Sequence, residues 1–329
     1  MAILVSGGAG YIGSHMVLEL LDRGEKVVVL DNLSTGFWWA VPPEAIFVQG
    51  DIGDQALLES VIAEHGIVEI AHFAAKIVVP ESVTDPLGYY HNNTVKTRNL
   101  LESAVRGGVK HVIFSSTAAV YGEPPVSPVP EEIALNPINP YGRSKLMSEW
   151  MLGDVARAHG FTYVALRYFN VAGADPKGRS GQSSPNATHL IKVAGQAALG
   201  QRDGLTVFGT DYATPDGTCV RDYIHVTDLA RAHLAALDHL RSGGESLTLN
   251  CGYGRGYSVN EVVAVVKQVS GVDFPVTYAG RRAGDPASLI ARADRIRDEL
   301  GWRPEHDDLE EIVMQALAWE EKLKTRNAT

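Results

Sequence analysis

Through the first 170 residues, short apolar runs alternate with stretches whose apolar positions recur at helical spacing. The runs predict strands at 3–6, 26–31, 46–49, 68–73, 109–115 and 163–168. The intervening stretches predict helices at 11–23, 55–64, 86–106 and 141–158, with Gly24, Gly66, Gly107-Gly108 and Gly160 as C-terminal stops. This alternation predicts an α/β fold, a doubly wound parallel sheet with helices on both faces. Beyond residue 170 the pattern changes, and Gly- and Ser-rich loops at 171–184 and 209–217 separate shorter elements. Helices are expected there at 188–199 and 227–240, a strand at 246–251 and a closing helix at 309–324. The strand at 246–251 is expected to return to the first sheet. The division into a domain of 1–170 and a smaller α/β domain of 171–329 is therefore approximate.

Composition narrows the class. With 45% hydrophobic and 21% charged residues over 329 positions, the chain reads as a globular enzyme able to bury a substantial core. Its net charge of −10 argues against nucleic acid or an anionic membrane as partner, so anionic small molecules would need local basic pockets. Two cysteines, Cys219 and Cys251, exclude a disulfide framework and a Cys-rich zinc site; one bridge or two free thiols remain open. The eleven histidines show no metal-ligand spacing, and no metal is expected; His225 reads as ordering a loop. No basic leader precedes the first strand, and no apolar run approaches the roughly 20 residues of a membrane span, so a cytoplasmic location is expected.

The first strand leads into Gly7-Gly8-Ala9-Gly10-Tyr11-Ile12-Gly13 and then a helix. Gly8, Gly10 and Gly13 make a G-x-G-x-x-G pattern, and Gly7, Gly10 and Gly13 a G-x-x-G-x-x-G pattern. Glycines there permit a tight turn and close approach of a pyrophosphate, which the helix N-terminus attracts. Asp31 ends the second strand, 18 residues after Gly13. A carboxylate at that place accepts hydrogen bonds from a ribose 2′-hydroxyl and repels a 2′-phosphate, favouring NAD over NADP; the alternative is an aspartate closing a turn. Gln49-Gly50-Asp51-Ile52 either holds an adenine at a neighbouring strand end or is a simple turn.

Ser115, Ser116 and Thr117 follow the fifth strand, at the carboxyl edge where such sheets bind ligands. Further on, Tyr141 and Lys145 share one face at the start of a helix that Asn139 caps and Pro140 begins. A phenol of pKa near 10 must drop by roughly 3 units, about 4 kcal/mol, to act as a base near neutrality. An adjacent ammonium and a cationic nicotinamide ring would supply that together. Alone, the hydroxyls read as a turn device and the Tyr-Lys pair as a solvated helix face; the order of glycine loop, hydroxyls and Tyr-x-x-x-Lys gives them a shared role. No Gly-x-Ser-x-Gly elbow of a hydrolase occurs.

Further motifs carry a resemblance: Asp31-Asn32-Leu33, His72-Phe73-Ala74-Ala75, Arg167-Tyr168-Phe169-Asn170, Phe208-Gly209-Thr210-Asp211-Tyr212, Asp216-Gly217-Thr218, Val220-Arg221-Asp222-Tyr223-Ile224-His225-Val226 and Arg281-Arg282-Ala283-Gly284-Asp285. Together with the glycine loop and Tyr141–Lys145, they make essentially the whole chain resemble the extended short-chain dehydrogenase/reductase family, most closely its UDP-hexose C4-epimerase branch. The resemblance implies a Rossmann-type sheet, NAD as cofactor and a UDP-sugar as substrate. It also implies reversible interconversion of UDP-galactose and UDP-glucose through a 4-keto intermediate, with no net oxidation.

By matching motif, Tyr141 would be the base, Lys145 its electrostatic partner and a ribose ligand, and Thr117 the hydroxyl of the triad. Gly7, Gly10, Tyr11, Ile12, Gly13, Asp31, Asn32, Asp51, Ile52, Phe73, Ala74, Asn93 and Phe169, with Tyr141 and Lys145, would line the NAD. Asn170, Leu190, Phe208, Arg221, Tyr223, Arg282 and Asp285, with Thr117, would hold the UDP-sugar. Two arginines suit a diphosphate because their planar forks donate paired charge-assisted hydrogen bonds. Without the resemblance, Arg221 reads as a partner of Asp222 and Phe208 as a core residue. A homodimer packed through helices near 86–106 and 141–158 is likewise implied.

Departures from the family pattern are visible. Ile77 stands where many epimerases carry a cofactor-side lysine, with Lys76 one place earlier, and His189 replaces a substrate-side asparagine. Leu289 matches a position that gates sugar size, and its intermediate bulk leaves UDP-N-acetylhexosamines and UDP-pentoses open as substrates. A 4,6-dehydratase would place an Asp-Glu pair after Thr117, where this chain has Ala118-Ala119. A non-catalytic NAD-sensing protein would commonly lack the Tyr or the Lys, and both are present. Trp38-Trp39 either stacks near the adenosine or packs a surface loop.

Overall fold

The computed structural model describes residues 2–184, 187–282 and 285–326. Seven parallel strands form one sheet in the spatial order Leu247–Cys251, Thr162–Tyr168, His111–Thr117, Ile67–His72, Ala2–Ser6, Lys26–Asp31 and Ile46–Gln49. This is a doubly wound, Rossmann-type sheet. Its strand order reverses between Ala2–Ser6 and Ile67–His72, which opens a crevice at their carboxyl ends.

Burial on both faces follows from the strand sequences. Ala2–Ser6 is buried at all five positions, as a strand covered by helices must be. Side chains alternate between two cores. Ile3, Val5, Val27 and Val29 pack against Met16, Val17, Leu20 and Leu229, from the helices Tyr11–Asp22 and Val226–Arg241. Ala2, Leu4, Val28 and Leu30 join the core of Leu58, Ile62, Leu100 and Leu101 on the opposite face, from Gln55–His65 and Lys96–Arg106.

The six strands expected before residue 170 all form, with ends shifted by a residue or two. The fifth runs on to Thr117, because Ser115, Ser116 and Thr117 pair with Leu166, Arg167 and Tyr168. The three hydroxyls therefore lie within the strand rather than after it. Asn139 caps Pro140–His159 as its sequence suggests, accepting from the Gly142 amide at 2.9 Å, and Gly160 stops the helix in the left-handed region at φ 75°. The strand at the C-terminal side of the chain, Leu247–Cys251, does join the large sheet, with Leu249 opposite Leu166.

Two expectations need correction. The helix expected over 86–106 is three segments: Pro86–Tyr89, a π-helical stretch Tyr90–Val95, and Lys96–Arg106. The wider turn surrounds Asn93, whose side chain accepts from the Lys76 amide and donates to the Lys76 carbonyl and the Ser144 hydroxyl. The helix expected from 188 starts at Leu190, since His189 is still extended at φ −66°, ψ 131°.

Short strands beyond 170 had no visible pattern. Val220–His225 is the centre of a small sheet, flanked by Asn170–Ala172, Gly256–Ser258 and Ser288–Leu289; Leu205–Phe208 pairs separately with Val276–Ala279. Helix Val259–Ser270 was not anticipated, although Ser258 and Glu261 form a reciprocal capping box at its start. Cys219 and Cys251 are free and buried. Among the described residues, no helix is long and apolar enough to cross a membrane.

Candidate active site

The glycine loop sits at the reversal of strand order. Gly7 has φ 75°, and a Cβ on it would meet the Ala74 amide nitrogen at 2.6 Å. Backbone from two neighbouring strands therefore closes around the loop, leaving room for a ligand but not for a side chain. The helix Tyr11–Asp22 follows with no side-chain cap and no acidic residue in its first turn. Its N-terminus is free to receive an anion.

At the next strand end, Asp31 is buried and accepts backbone bonds from Ala9 at 3.0 Å and Leu33 at 2.8 Å. Burial raises its pKa while these two bonds lower it. Each oxygen retains a second lone pair for a ribose hydroxyl. Leu33 has φ 60°, a left-handed conformation held by the Asp31 carboxylate. Asp51 is buttressed by Lys96 at 2.6 Å, the Gly53 amide at 2.8 Å and Asn32 at 3.0 Å. Burial opposes the charge, but Lys96 and the two hydrogen bonds hold its carboxyl below the ordinary range. Asn32 and Asp51, both expected to line the cofactor, thus meet; the contribution of Lys96 was missed. The turn is also paved by Phe73 and Ala74, whose amides both donate to the Ser6 carbonyl. This donor set, open helix terminus and glycine cradle fit a dinucleotide.

Thr117 and Tyr141 come together. Burial pushes the Tyr141 phenol upward, and its hydrogen bond with the Thr117 side chain pulls it back. Lys145 is buried, donates to the Ser115 carbonyl at 2.9 Å and stands 5.0 Å from the Phe114 ring centre. Burial lowers its pKa to about 7, with Glu149 opposing. Tyr168 lies alongside, hydrogen-bonded to the Ser115 hydroxyl. In the protein by itself the Thr117 hydrogen bond favours the phenolate against burial. The large drop required of the phenol is thus not supplied by the side chains alone.

Tyr11, Asn170, Leu190 and Tyr223 line a common cleft, together with Gln182, His189 and Lys192. Tyr11 closes one wall by donating to the Gly173 carbonyl at 2.7 Å. Phe169 is buried immediately before Asn170, and Asn170 pairs with Tyr223. Arg221 and Tyr223 share a strand face, being two residues apart on Val220–His225. The Arg221 guanidinium donates to the Pro286 carbonyl at 2.8 Å and lies 3.6 Å from Asp285. The Arg282 guanidinium lies over the Phe208 ring, 3.9 Å from its centre. Substrate-side residues thus form two groups joined by one strand; Ala283 and Gly284 of the arginine motif lie outside the described residues.

Other expectations resolve plainly. Lys76 pairs with Glu81 at 3.1 Å and Asp85 at 3.5 Å, so its ammonium is engaged at the surface. His189 is lowered by burial and by Lys192, and its Nδ1 is 3.3 Å from the Gln182 amide. Trp39 stacks on Phe37 and packs near Trp319, while Trp38 is exposed. Lys192 and Gln182, on the cleft wall, were not anticipated; they come from the changed pattern after residue 170.

Comparison with known proteins agrees with this geometry. Residues 3–252 match the NAD dependent epimerase/dehydratase family. A UDP-glucose 4-epimerase from Azospirillum brasilense is 58% identical over 322 residues, covering 98% of this chain and 92% of that protein. The crystal structure of UDP-glucose 4-epimerase from Brucella ovis in complex with NAD superposes with a TM-score of 0.94 at 48% identity, covering 96% of this chain and 97% of that one. That of the Bifidobacterium longum enzyme in complex with NAD⁺ and UDP gives a TM-score of 0.92 at 39% identity, with 98% of each chain covered. This chain belongs to the NAD dependent epimerase/dehydratase family.

Proposed function

We propose that the chain is an NAD-dependent isomerase that reversibly inverts C4 of UDP-galactose and UDP-glucose. One observation carries this reading: a relative of that activity is 58% identical across 98% of the chain. The Thr117–Tyr141 pair and the glycine cradle, both at the carboxyl edge of the large sheet, support it.

When bound, NAD supplies reversible hydride chemistry at the sugar carbon. The glycine loop, Asp31, Asn32 and Asp51 bind and orient it, and Phe73, Ala74, Asn93 and Phe169 line its course. Tyr141 takes the proton of the 4-hydroxyl and later returns one; Thr117 aligns that hydroxyl with the phenol. Lys145 supports the phenolate electrostatically and holds a ribose. Arg221, Arg282 and Asp285, with Asn170, Leu190, Phe208 and Tyr223, grip the UDP portion, leaving the 4-keto hexosyl group free to present its other face. Positioning and proton transfer are the protein's part. Ala118 and Ala119 begin a 3-10 turn after Thr117, so no carboxylate stands ready to eliminate water as a dehydratase would require.

We further assign residues 1–170 mainly to the NAD and 171–329 mainly to the UDP-sugar. Leu87 and Val95, on the segments Pro86–Tyr89 and Tyr90–Val95, and Met147 and Trp150, on Pro140–His159, expose apolar side chains that support homodimer packing there. The free thiols suit a cytoplasmic location.

The test incubates the enzyme separately with UDP-galactose, UDP-N-acetylgalactosamine and UDP-arabinose and separates the products by chromatography. UDP-glucose is the expected product of the first, without accumulation of reduced cofactor. No conversion of UDP-galactose would overturn the reading; conversion of either of the others alone would move the assignment to that sugar.

A further inference from the structure

Tyr141, Lys145 and Glu149 follow one another at four-residue spacing on helix Pro140–His159, and all three are buried. Glu149 is held in a two-pronged ion pair by Arg167, with Nε at 3.0 Å from Oε1 and Nη2 at 2.7 Å from Oε2. Ser116 donates to the same carboxylate. Arg167 extends its remaining nitrogen away from the helix, to the Tyr121 hydroxyl at 3.1 Å and the Glu131 carbonyl at 3.3 Å. Tyr121 in turn donates to Asn250 at 2.6 Å, which anchors the network in the strand Leu247–Cys251. A buried ion pair is costly to keep and offers little net stability. Its place beside Lys145 gives it a different use.

Beyond Glu149, the Arg167 cation paired with it and the Tyr141 phenol raised by burial, the groups near Lys145 among the described residues carry no charge. His72, on the strand Ile67–His72, is bonded to Ser6 and Thr97 and kept neutral by burial, its pKa at about 3. The strand His111–Thr117 offers the Phe114 ring and the Ser115 carbonyl. Tyr168, bonded to the Ser115 hydroxyl, is pushed up by burial and stays protonated. Asn93 bonds Ser144, the residue before Lys145, and Thr97 bonds His72; both are neutral. Glu149 is therefore the group that opposes the desolvation of the lysine.

We propose that Glu149 is a positioning residue that keeps Lys145 cationic beside Tyr141, and that Arg167 and Ser116 serve it by fixing its carboxylate in the ionised form. The proposal rests on the functional reading above, in which a charged Lys145 supports the phenolate. Without the carboxylate, Lys145 loses its proton at lower pH, and Tyr141 loses its support with it.

The titration of Lys145 is read directly from ¹³C-labelled lysine side chains by NMR in the NAD-loaded protein, the signal being assigned by its loss in Lys145→Arg. In Glu149→Gln the midpoint is expected to fall by about one unit or more. The alkaline limb of the kcat profile should move down with it, while KM for UDP-galactose stays within about twofold. An unchanged midpoint overturns the proposal. Because a lone Arg167 in a buried site threatens folding, the same measurement is made on Glu149→Gln/Arg167→Met, which removes both charges. That protein is expected to show a smaller fall in the same direction, because the guanidinium that repels the lysine is gone as well, and an unchanged midpoint in it counts equally against the proposal. The NMR reading needs no turnover, so an inactive wild type would defeat the functional reading alone.

Discussion

The carbonyl oxygen of Gly7 stands 2.1 Å from the point where a side chain on Gly13 would begin. The two glycines close the turn against the first helix, and the atom in the way is backbone, which cannot rotate aside. Gly13→Ala is expected to cost about 1–3 kcal/mol through this overpacking and to reduce the NAD retained on purification. Thermal melting and cofactor content of the purified protein check it. A variant with unaltered melting and full cofactor would show that the turn tolerates a methyl group.

In the proposed function Tyr141 moves the proton. Tyr141→Phe should retain NAD and lose at least about a hundredfold in kcat, the low end of what general acid–base catalysis contributes. Turnover of UDP-galactose is measured beside cofactor content, and near wild-type turnover would remove Tyr141 from that role.

Acid should unfold this protein early. Burial lowers His15, His225 and His233 to about 4 and His72 to about 3, all below the ordinary value of 6.5. The unfolded chain thus takes up these protons first, and the stability they represent is present above pH 6.5 and lost as pH falls towards 4. Asp222 works the other way: burial raises it to about 6, so its contribution is present below its unfolded pKa and lost as pH rises through 6. His111 and His189 are lowered as well, while Asp31 and Glu131 join Asp222 in being raised; the histidines outnumber the raised carboxyls, so unfolding takes up protons near pH 5 and stability falls on acidification. Urea unfolding at pH 7, 6 and 5 reads it; a midpoint that is flat or rises on acidification contradicts it.

Lys192 and Glu320 form a buried ion pair at 2.5 Å, joined by Gln196 at 3.1 Å, between the cleft wall and the closing helix Leu309–Arg326. Glu320→Ala would strand the ammonium and is expected to cost about 3–5 kcal/mol. Since Lys192 also lines the cleft, KM for the UDP-sugar should rise more than kcat falls. Denaturant midpoints and steady-state kinetics test both parts, and an unchanged midpoint would show that the lysine finds another partner.

Much of the large sheet was legible because each strand carries its own apolar run and each helix its own stop. The cap at Asn139 and the glycine at 160 are local signals, and both act as read. The π-helical stretch at Tyr90–Val95 was not legible, because its cause is a contact from Asn93 to Lys76 and Ser144, 17 and 51 residues away. Strands of two to four residues such as Ser288–Leu289 are too short to show alternation. Helix Val259–Ser270 was legible in principle through Ser258 and Glu261, but its valine-rich run reads equally as a strand. In the site, the glycine loop, Asp31 and the Tyr-Lys pair announce themselves by spacing. The pairing of Lys96 with Asp51 and of Glu149 with Arg167 depends on folding, and no spacing foretells it.

The seventh strand of the large sheet comes from late in the chain. Leu247–Cys251 zips along Thr162–Tyr168, and its Asn250 reaches the Val129 carbonyl at 2.8 Å. Cutting the polypeptide after residue 170 would not release a self-sufficient cofactor half. Thr162–Tyr168 would become a bare margin, its amides and carbonyls unpaired and inviting association with any other open edge. The two halves can be neither shuffled nor shed separately: the later part of the chain finishes the sheet that the earlier part begins.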